Sequence, residues 1–386
     1  MPENGFKRFR TLAVHAGHGP DPAFGALAQP IYQTSTFAFP SVDGPGPYDY
    51  SRSGNPTRKA LETSLAALES GRFGFAFSSG MAAETTLLLL FGAGDHIIAH
   101  SDLYGGTYRL LTTVMADKNI AVDFVDLRDP EAICQALKPQ TKAIWAESPT
   151  NPCMRLVDLE MVAAIAKERA LISICDNTFS SPYFQRPLER GIDVVLHSTT
   201  KYLNGHSDVL GGAIIVSRPD LAERISYVQN AAGTCASPFD SYLVLRGVKT
   251  LAVRMEEHQR SALQIARWLE VKREVEAVFH PGLESHPQHE LARRQMSGYG
   301  GTFSFLIHGG QAQAFRLLSS VRLFTLAESL GGVQSLIEHP ATMTHSSVPS
   351  DARHRMGVTE NMVRISVGLE DTEDLIADLG SALAHI

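Results

Sequence analysis

Short apolar runs alternate with longer amphipathic stretches through the first two thirds of the chain. Runs of about five residues rich in branched and aromatic side chains are typical of buried strands, and apolar residues every three or four positions are typical of helices. Strands are predicted at 73–77, 95–99, 121–125, 142–146, 171–175 and 194–196, and helices from after residue 83 to 90 and at 107–116, 130–137, 158–169 and 219–230. This alternation predicts an α/β fold with a mostly parallel central sheet covered by helices on both faces.

The two ends of the chain have different patterns. Residues 1–47 are rich in proline and glycine, which predicts an extended N-terminal arm with little regular structure, lying either on a neighbouring subunit or along the protein's own surface. A long helical tract is predicted at 239–270, and the remainder mixes helices with strands such as 302–307. We therefore predict a large domain at 48–250 and a smaller α/β domain at 251–386.

Composition narrows the class of protein. The 386 residues are 44% hydrophobic and 19% charged, and 34 basic against 41 acidic residues give a net charge of -7, which argues against a nucleic-acid partner. No segment approaches the length of a membrane span and the first residues lack a secretory leader, so we expect a cytoplasmic protein without a membrane partner. The four cysteines lie far apart and indicate no disulfide framework, and no metal site is predicted because His286 and His289 read as parts of a turn.

Two charged residues follow predicted strands. Lys201 comes shortly after the strand at 194–196, where partial burial would lower the pKa of its amine and make it a nucleophile able to form a Schiff base. The alternative is a lysine that reaches solvent just beyond the strand end. Asp176 follows the strand at 171–175 directly, and is either a functional carboxylate or a turn residue.

Three further features are candidates for ligand binding. The turn Ser79-Gly80-Met81 precedes a helix, and a helix N-terminus offers free backbone N–H groups and a positive dipole end to an anion, although plain strand-to-helix turns have the same composition. Tyr50 and Arg52, in a turn-rich loop, form a possible phosphate site. Arg364 alternates with apolar neighbours in a strand pattern, so it is either a carboxylate clamp or an arginine on the solvent face.

These residues together match the needs of pyridoxal phosphate. The cofactor needs an amine for its aldehyde, an anion at its pyridine nitrogen, an aromatic face over its ring and donors for its phosphate. Lys201, Asp176, Tyr104 and the Ser79-Gly80-Met81 turn supply those needs in that order.

The sequence resembles the Cys/Met-metabolism family of pyridoxal-phosphate enzymes of fold type I, most closely the cystathionine γ-synthases and γ-lyases. The resemblance covers nearly the whole chain. Its motifs are Y-S-R-S-G-N-P-T at 50–57, S-S-G-M-A-A at 78–83, D-L-Y-G-G-T-Y-R at 102–109, E-S-P-T-N-P at 147–152, D-N-T-F at 176–179, H-S-T-T-K-Y-L-N-G-H-S-D at 197–208, F-D-S-Y-L at 239–243, L-F-T-L-A-E-S-L-G-G at 323–332 and V-R-I-S-V-G-L-E-D at 363–371.

The resemblance implies roles for residues around the cofactor. Lys201 would hold the cofactor covalently and then shuttle protons, Asp176 would pair with the pyridine nitrogen, and Tyr104 would stack on the ring and assist proton transfer at the leaving group. The phosphate ligands would be Gly80, Met81, Ser198 and Thr200, with Tyr50 and Arg52 reaching in from the neighbouring subunit. The family implies a homotetramer built from dimers that share active sites.

The resemblance also implies the substrate side. Arg364 would bind the substrate carboxylate with help from Asn151 and Ser329, and Glu328 would meet the distal amino group of cystathionine. The expected reaction is γ-elimination or γ-replacement on sulfur amino acids, with cystathionine, O-acylhomoserine or cysteine as substrates. The alternatives are a cystathionine β-lyase or O-acylhomoserine sulfhydrylase of the same family, and, in another class, a non-catalytic ligand-binding α/β protein.

Three positions bear on the subfamily. Gly106 stands where methionine γ-lyases typically carry cysteine, and Glu328 is the residue seen in the cystathionine γ enzymes, so a methionine lyase is disfavoured. Gln334 replaces the usual glutamate of G-G-V-E-S-L. No residue separates a synthase from a lyase.

Overall fold

The computed structural model describes residues 8–44 and 46–386, and its central feature is a seven-stranded sheet. The spatial order of the strands is β1-β7-β6-β5-β4-β2-β3; β7 is antiparallel to both neighbours and the other pairs are parallel, which confirms the mostly parallel sheet. The strands are β1 (Phe73–Phe77), β2 (His96–His100), β3 (Ala121–Val125), β4 (Thr141–Glu147), β5 (Ile172–Asp176), β6 (Val194–Ser198) and β7 (Gly212–Val216).

Helices cover both faces of this sheet. Adjacent residues Ile97 and Ile98 of β2 belong to different apolar clusters, one on each face, as expected for a strand buried on both sides. None of the described helices is long and apolar enough to cross a membrane. The helices in this part of the chain are α1 (Phe9–His15), α2 (Pro56–Leu68), α3 (Gly80–Leu88), α4 (Gly105–Arg109), α5 (Pro130–Ala136), α6 (Leu159–Glu168), α7 (Ser181–Phe184), α8 (Pro219–Ala232) and α9 (Pro238–Val248).

A second sheet of five strands follows, in the order β10-β11-β12-β9-β8. Its β10–β11 pair is parallel and its other pairs are antiparallel. The two sheets share an apolar core that includes Leu65, Met255 and Phe305. The elements are α10 (Leu251–Glu270), β8 (Val275–Phe279), α11 (His289–Gln295), β9 (Thr302–Ile307), α12 (Gln311–Ser320), β10 (Thr325–Leu326), β11 (Leu336–Glu338), α13 (Ser350–Met356), β12 (Met362–Ser366) and α14 (Thr372–Leu383).

Two helix predictions were wrong in detail. The helix predicted at 107–116 is α-helical only through Arg109 and continues as a π-helical turn, Leu110–Met115. The tract predicted at 239–270 is divided into α9 and α10, which are separated at Lys249 and Thr250. The carbonyl of Gly247 at the end of α9 accepts a hydrogen bond of 2.8 Å from Arg254 Nη2, so a side chain of α10 satisfies a group that a continuous helix would have bonded internally.

The predicted N-terminal arm contains more regular structure than expected. Helix α1 forms because Leu12 and Ala13 are buried in the main apolar core, which propensity alone did not indicate. From residue 17 to residue 55 the described arm is irregular, with isolated bridges between Thr36 and Tyr50 and within 41–44. Residues 1–7 and Pro45 of the predicted arm lie outside the described residues.

Candidate active site

A cavity of about 330 Å³ lies at the carboxyl ends of β4, β5 and β6, where ligands bind in sheets of this kind. All the predicted site residues line it except Tyr50 and Arg52. The lining residues are Ser79, Gly80, Met81, Glu84, Tyr104, Glu147, Asn151, Asp176, Thr178, Phe179, Ser198, Thr200, Lys201, Leu210, Glu328, Ser329, Leu330, Thr344 and Arg364.

Lys201 projects into the cavity rather than into solvent. Its Nζ donates a 2.6 Å hydrogen bond to Ser329 Oγ, across the space between the two sheets. Burial, followed by the positive charge of Arg364, lowers the pKa of the amine from 10.5 to about 8. A substantial fraction of Lys201 is therefore a neutral nucleophile near physiological pH.

Asp176 is the last residue of β5, and its carboxylate is part of a small hydrogen-bonded arrangement. Its Oδ1 accepts from Thr178 N at 2.9 Å, while Thr178 Oγ1 accepts from Ser198 N, also at 2.9 Å. Burial raises the pKa of the Asp176 carboxyl, and the bonds from Thr178 oppose that rise. A cationic ring nitrogen beside it would favour the ionised carboxylate further.

The predicted anion site is the N-terminus of α3. Ser79 is the N-cap and its hydroxyl accepts from Ala82 N at 3.0 Å, so the earlier N–H groups of Gly80 and Met81 have no intrahelical acceptor. A Cβ on Gly80 would lie 3.1 Å from Ser198 Cβ, which shows how closely the backbone turn approaches β6. Thr200, also in the lining, is held by a 3.0 Å bond from Gly211 N to its Oγ1.

Tyr104 is the residue before α4, and 38% of the residue's surface is exposed. A side chain on Gly106 would overlap this ring and would approach Met81 Sδ at 3.1 Å. Burial raises the pKa of the Tyr104 hydroxyl, with a further contribution from Glu84. The glycine at 106 therefore leaves room for the ring of Tyr104 at the edge of the cavity.

Arg364 is buried, with 2% of its surface exposed, so the solvent-face alternative was wrong. The guanidinium donates from Nη1 to Asn151 Oδ1 at 2.8 Å and from Nη2 to Ser329 O at 2.9 Å. Glu338 Oε1 lies 3.1 Å from Nη2 and balances the buried charge. Ser329 has a φ of 97°, a conformation rare for a side-chain-bearing residue, and its contacts with Lys201 and Arg364 hold it there.

Three carboxyl groups line the cavity on the large-sheet side, namely the buried Glu84 and Glu147 and the half-buried Asp176. Glu147 accepts from Tyr104 N at 2.9 Å and from Asn151 N at 2.8 Å. Burial and the nearby Asp176 raise the pKa of the Glu147 carboxyl well above its usual value. The same two causes raise the pKa of Glu84 to about 8.

Tyr50 and Arg52 lie away from this chain's own cavity. Tyr50 is 44% exposed, the guanidinium of Arg52 stands 5.3 Å from its ring centroid, and Arg52 Nε donates to Asn230 Oδ1 at 3.2 Å. The expectation that these residues serve a neighbouring subunit stays a prediction.

Sequence reasoning missed several lining residues. Glu84 lies inside a helix among small and apolar residues, where its pattern suggested only a polar helix position. Glu147 directly follows the strand predicted at 142–146, and a polar residue at the carboxyl end of a strand is the signal that could have found it. Thr178, Thr344 and the buried counterion Glu338 carried no local signal, because their importance depends on what the fold places beside them.

The cavity's residues are suited to pyridoxal phosphate. A partly buried amine, a carboxylate, an aromatic ring and a helix N-terminus all border one space of suitable size. Glu84, also in the lining, has one buried carboxyl oxygen, Oε2, without a hydrogen-bond partner among the described residues, as expected beside a site that holds a polar ligand. Within residues 8–44 and 46–386 no group of three histidine, cysteine, aspartate or glutamate side chains is arranged to hold a metal ion.

Comparison with known proteins identifies the family. The model of the family described as Cys/Met metabolism PLP-dependent enzyme matches residues 10–384. The chain is 50% identical to a cystathionine beta-lyase of Coxiella burnetii, covering 97% of each chain, and 48% identical to a cystathionine gamma-lyase of Bacillus subtilis, covering 98% of this chain and 99% of that one.

The fold of this chain also agrees closely with that of a solved structure. The crystal structure of cystathionine gamma-lyase from Lactobacillus plantarum complexed with L-serine superposes with a TM-score of 0.95 at 44% identity, over 98% of this chain and 99% of that chain. This chain therefore belongs to the Cys/Met metabolism family and is a pyridoxal-phosphate-dependent enzyme.

Proposed function

We propose that the enzyme catalyses γ-elimination or γ-replacement on cystathionine or a related sulfur amino acid. The observation that carries this proposal is the joint position of Lys201 and Arg364, which border one cavity and are both bonded to Ser329. An amino acid bound through its carboxylate to Arg364 would present its Cα to the side of the cavity that contains the amine.

In this proposal the substrate carboxylate binds to Arg364, whose guanidinium is already held in position by its neighbours. Asn151 and Ser329 orient the guanidinium of Arg364, and Glu338 on β11 offsets its charge from behind. A planar guanidinium matches a carboxylate with two parallel bonds, so the substrate is bound in one orientation. Because the fork is preorganised, less entropy is lost when the substrate binds.

Pyridoxal phosphate, when bound, supplies an electron sink that makes protons on the substrate's Cα and Cβ acidic. Gly80, Met81, Ser198 and Thr200 would hold its phosphate, Asp176 its ring nitrogen, and Tyr104 its ring face. Lys201 Nζ would be the base that removes the Cα proton and then the Cβ proton. Ser329 Oγ accepts a bond from that amine and directs its lone pair.

The far end of the substrate meets Tyr104 and Glu328. Burial raises the pKa of the Tyr104 hydroxyl and so keeps it protonated, which makes it the candidate proton donor to the departing sulfur. Glu328 also lines the cavity and supplies a negative charge for a distal ammonium group such as that of cystathionine.

A second candidate function is β-elimination on cystathionine. The observation that favours it is the 50% identity to a relative named cystathionine beta-lyase, alongside 48% to one named cystathionine gamma-lyase. The same Lys201, Arg364 and Tyr104 serve either reaction, since β-elimination needs only the first proton removal.

Product analysis separates these candidates. The purified enzyme is incubated with cystathionine, and separately with O-succinylhomoserine and cysteine. Cysteine with 2-oxobutyrate supports γ-elimination, new cystathionine supports γ-replacement, and homocysteine with pyruvate supports β-elimination. Lys201→Ala is the matched control and should give no product and no borohydride-stable adduct with the cofactor. Wild-type protein that turns over neither mixture would overturn the proposal.

We further propose a homotetramer of dimers in which each subunit completes its neighbour's site. Support comes from the exposed position of Tyr50 and Arg52 away from their own cavity, and from large apolar side chains on the arm: Phe24 is 92% exposed and Leu27 79%.

We also propose a cytoplasmic location, which agrees with the four free cysteines. The separate sheets support the division into 48–250 and 251–386.

Mixed subunits test the shared site. Lys201→Ala and Arg52→Ala subunits are inactive separately in this proposal, but a hybrid dimer contains one intact site. Equal mixing after dissociation should restore about a quarter of wild-type activity, because half of the dimers are hybrids and half of their sites are intact. If Arg52 served its own subunit, mixing would restore nothing.

A further inference from the structure

Glu84 is a buried carboxyl group that the reaction described above does not use. It lies one helical turn into α3, its side chain lines the cavity, and it is 3% exposed. Carboxylates are almost never buried to this extent without a cation, yet no salt bridge is formed by Glu84 within the described residues.

The two carboxyl oxygens of Glu84 have different surroundings. Oε1 accepts a 3.1 Å hydrogen bond from Thr107 Oγ1, a buried hydroxyl on α4. Oε2 has no hydrogen-bond partner among the described residues and its surface is buried. A neutral carboxyl group has one accepting oxygen and one donating hydroxyl, so with Thr107 donating to Oε1 the proton of a neutral Glu84 would be on Oε2.

Charge in the cavity supports the neutral form. Burial and the negative charge of Asp176 raise the pKa of Glu84 to about 8, while the bond from Thr107 lowers it. The titratable side chains that line the same cavity are Asp176 on β5, Glu147 on β4, Tyr104 before α4, Lys201 after β6, Glu328, and Arg364 on β12. Of the two neighbours, Asp176 has the backbone bond from Thr178 that a carboxylate needs, and Glu84 has none.

We propose that Glu84 is a positioning residue for the cofactor ring: as a neutral acid it donates a hydrogen bond from Oε2 to an acceptor on the bound pyridoxal phosphate, while Asp176 carries the charge. With Glu84 protonated and Asp176 ionised, the cofactor ring would have one hydrogen-bond donor and one anion as partners. The inference rests on the cofactor-binding part of the proposed function and is independent of which sulfur amino acid is the substrate.

Two substitutions of Glu84 by side chains of similar length test whether the residue donates a hydrogen bond or only fills space. Glu84→Gln keeps a neutral group with an N–H donor, and Glu84→Met keeps the length and removes all hydrogen bonding. The holoenzymes are diluted serially without substrate, and free pyridoxal phosphate is measured after ultrafiltration to give its dissociation constant at pH 7. We expect Glu84→Gln to remain within about twofold of wild type and Glu84→Met to weaken binding about tenfold, the effect of one hydrogen bond.

The pH dependence supplies a readout that a structural role would not change. Wild-type affinity should fall as pH rises through about 8, because ionised Glu84 can no longer donate and adds a second negative charge beside Asp176. Glu84→Gln keeps its donor and should lack this component. Lys201 titrates in the same range in both proteins, so the difference between the two profiles isolates Glu84.

Three outcomes would contradict the proposed role of Glu84. Equal loss of affinity in both variants would mean that the ionised carboxylate is required, and unchanged affinity in Glu84→Met would mean that Oε2 makes no bond to the cofactor. Identical pH profiles for wild type and Glu84→Gln would also overturn the proposal, and this comparison does not depend on the folding of the Met variant. Protein that binds no pyridoxal phosphate in any form would instead refute the proposed function.

Discussion

The two sides of the cavity are built differently. The large-sheet wall, formed by Gly80, Met81, Tyr104, Asp176, Ser198 and Thr200, consists of strand ends and a helix N-terminus. The small-sheet wall, formed by Glu328, Ser329, Thr344 and Arg364, consists of side chains and loops whose positions depend on long-range contacts. The first wall suits a permanently bound cofactor, and the second suits a substrate that enters and leaves.

The walls also differ in charge. Three acidic side chains, Glu84, Glu147 and Asp176, border the cavity on the large-sheet side, while the small-sheet side contributes the buried cation Arg364 together with Glu328. Lys201 stands between them and bonds across the gap to Ser329. In the proposed function the small-sheet wall would orient the substrate, and its Arg364 adds to burial in lowering the pKa of the amine opposite, so each wall can be perturbed to test the other.

The largest expected effect comes from removing the cation of the small-sheet wall. Arg364→Met leaves Glu338 buried without a counterion, and should lower the free energy of unfolding by about 3–5 kcal/mol and raise KM roughly 30-fold or more. The matched variant Arg364→Met/Glu338→Gln removes both charges. Urea unfolding and steady-state kinetics should find stability largely recovered in the double variant and KM still high; a recovered KM would contradict the carboxylate clamp.

A smaller effect concerns the amine of Lys201. The neutral fraction of an amine rises about tenfold per pH unit below its pKa, so the rate at which apoenzyme recaptures pyridoxal phosphate should rise with pH and level off above about 8. After burial, Arg364 is the largest lowering influence on this pKa, and Glu338 opposes it, so the plateau should begin at higher pH in the Arg364→Met/Glu338→Gln variant than in Glu338→Gln alone. Stopped-flow absorbance measures both profiles, and an unchanged plateau would show that the two walls are not coupled.

The smallest expected effect lies at the edge of the large-sheet wall. Gly106→Ala would force the ring of Tyr104 to move, and because that ring is partly exposed it can do so at modest cost. We expect kcat to fall by about tenfold, with little change in thermal stability. Gly310→Ala, whose new Cβ meets nothing within 4 Å, is the matched control and should leave kcat unchanged. Equal kinetics in both variants would argue against a role for Tyr104 in proton transfer.

Much of the large-sheet wall could be predicted from local sequence. The apolar run 171–175 ends at Asp176, and the small-residue turn before α3 forms an N-cap at Ser79, so both features follow from a few consecutive residues. Parallel strand ends meet at one edge of a sheet, which brings such residues together without further information. The same reasoning could not separate α9 from α10, because the carbonyl that ends α9 is satisfied by Arg254, a residue beyond the break.

The small-sheet wall could be predicted only through resemblance. The strand pattern around Arg364 did not indicate that the side chain is buried. Alternation shows that Arg364 lies on the opposite face of the strand from Val363 and Ile365, but it does not show whether that face is covered by protein or by solvent. Asn151 is 213 positions away from Arg364 in the chain and meets it only when the sheets pack. Glu84 differs from Arg364, because its helix was predicted from the sequence, whereas its position in the lining of the cavity was not.

The sequence by itself determined the order of strands and helices, the amine, the carboxylate and the anion-binding turn, because each depends on residues adjacent along the chain. The tertiary structure decided which ionisable groups lie together: that Lys201 bonds Ser329, that Arg364 is paired with Glu338, and that Glu84 lies near Asp176 with one oxygen unbonded among the described residues. The physical reason is that protonation and charge pairing depend on distance and burial in three dimensions, which periodicity along the chain does not specify.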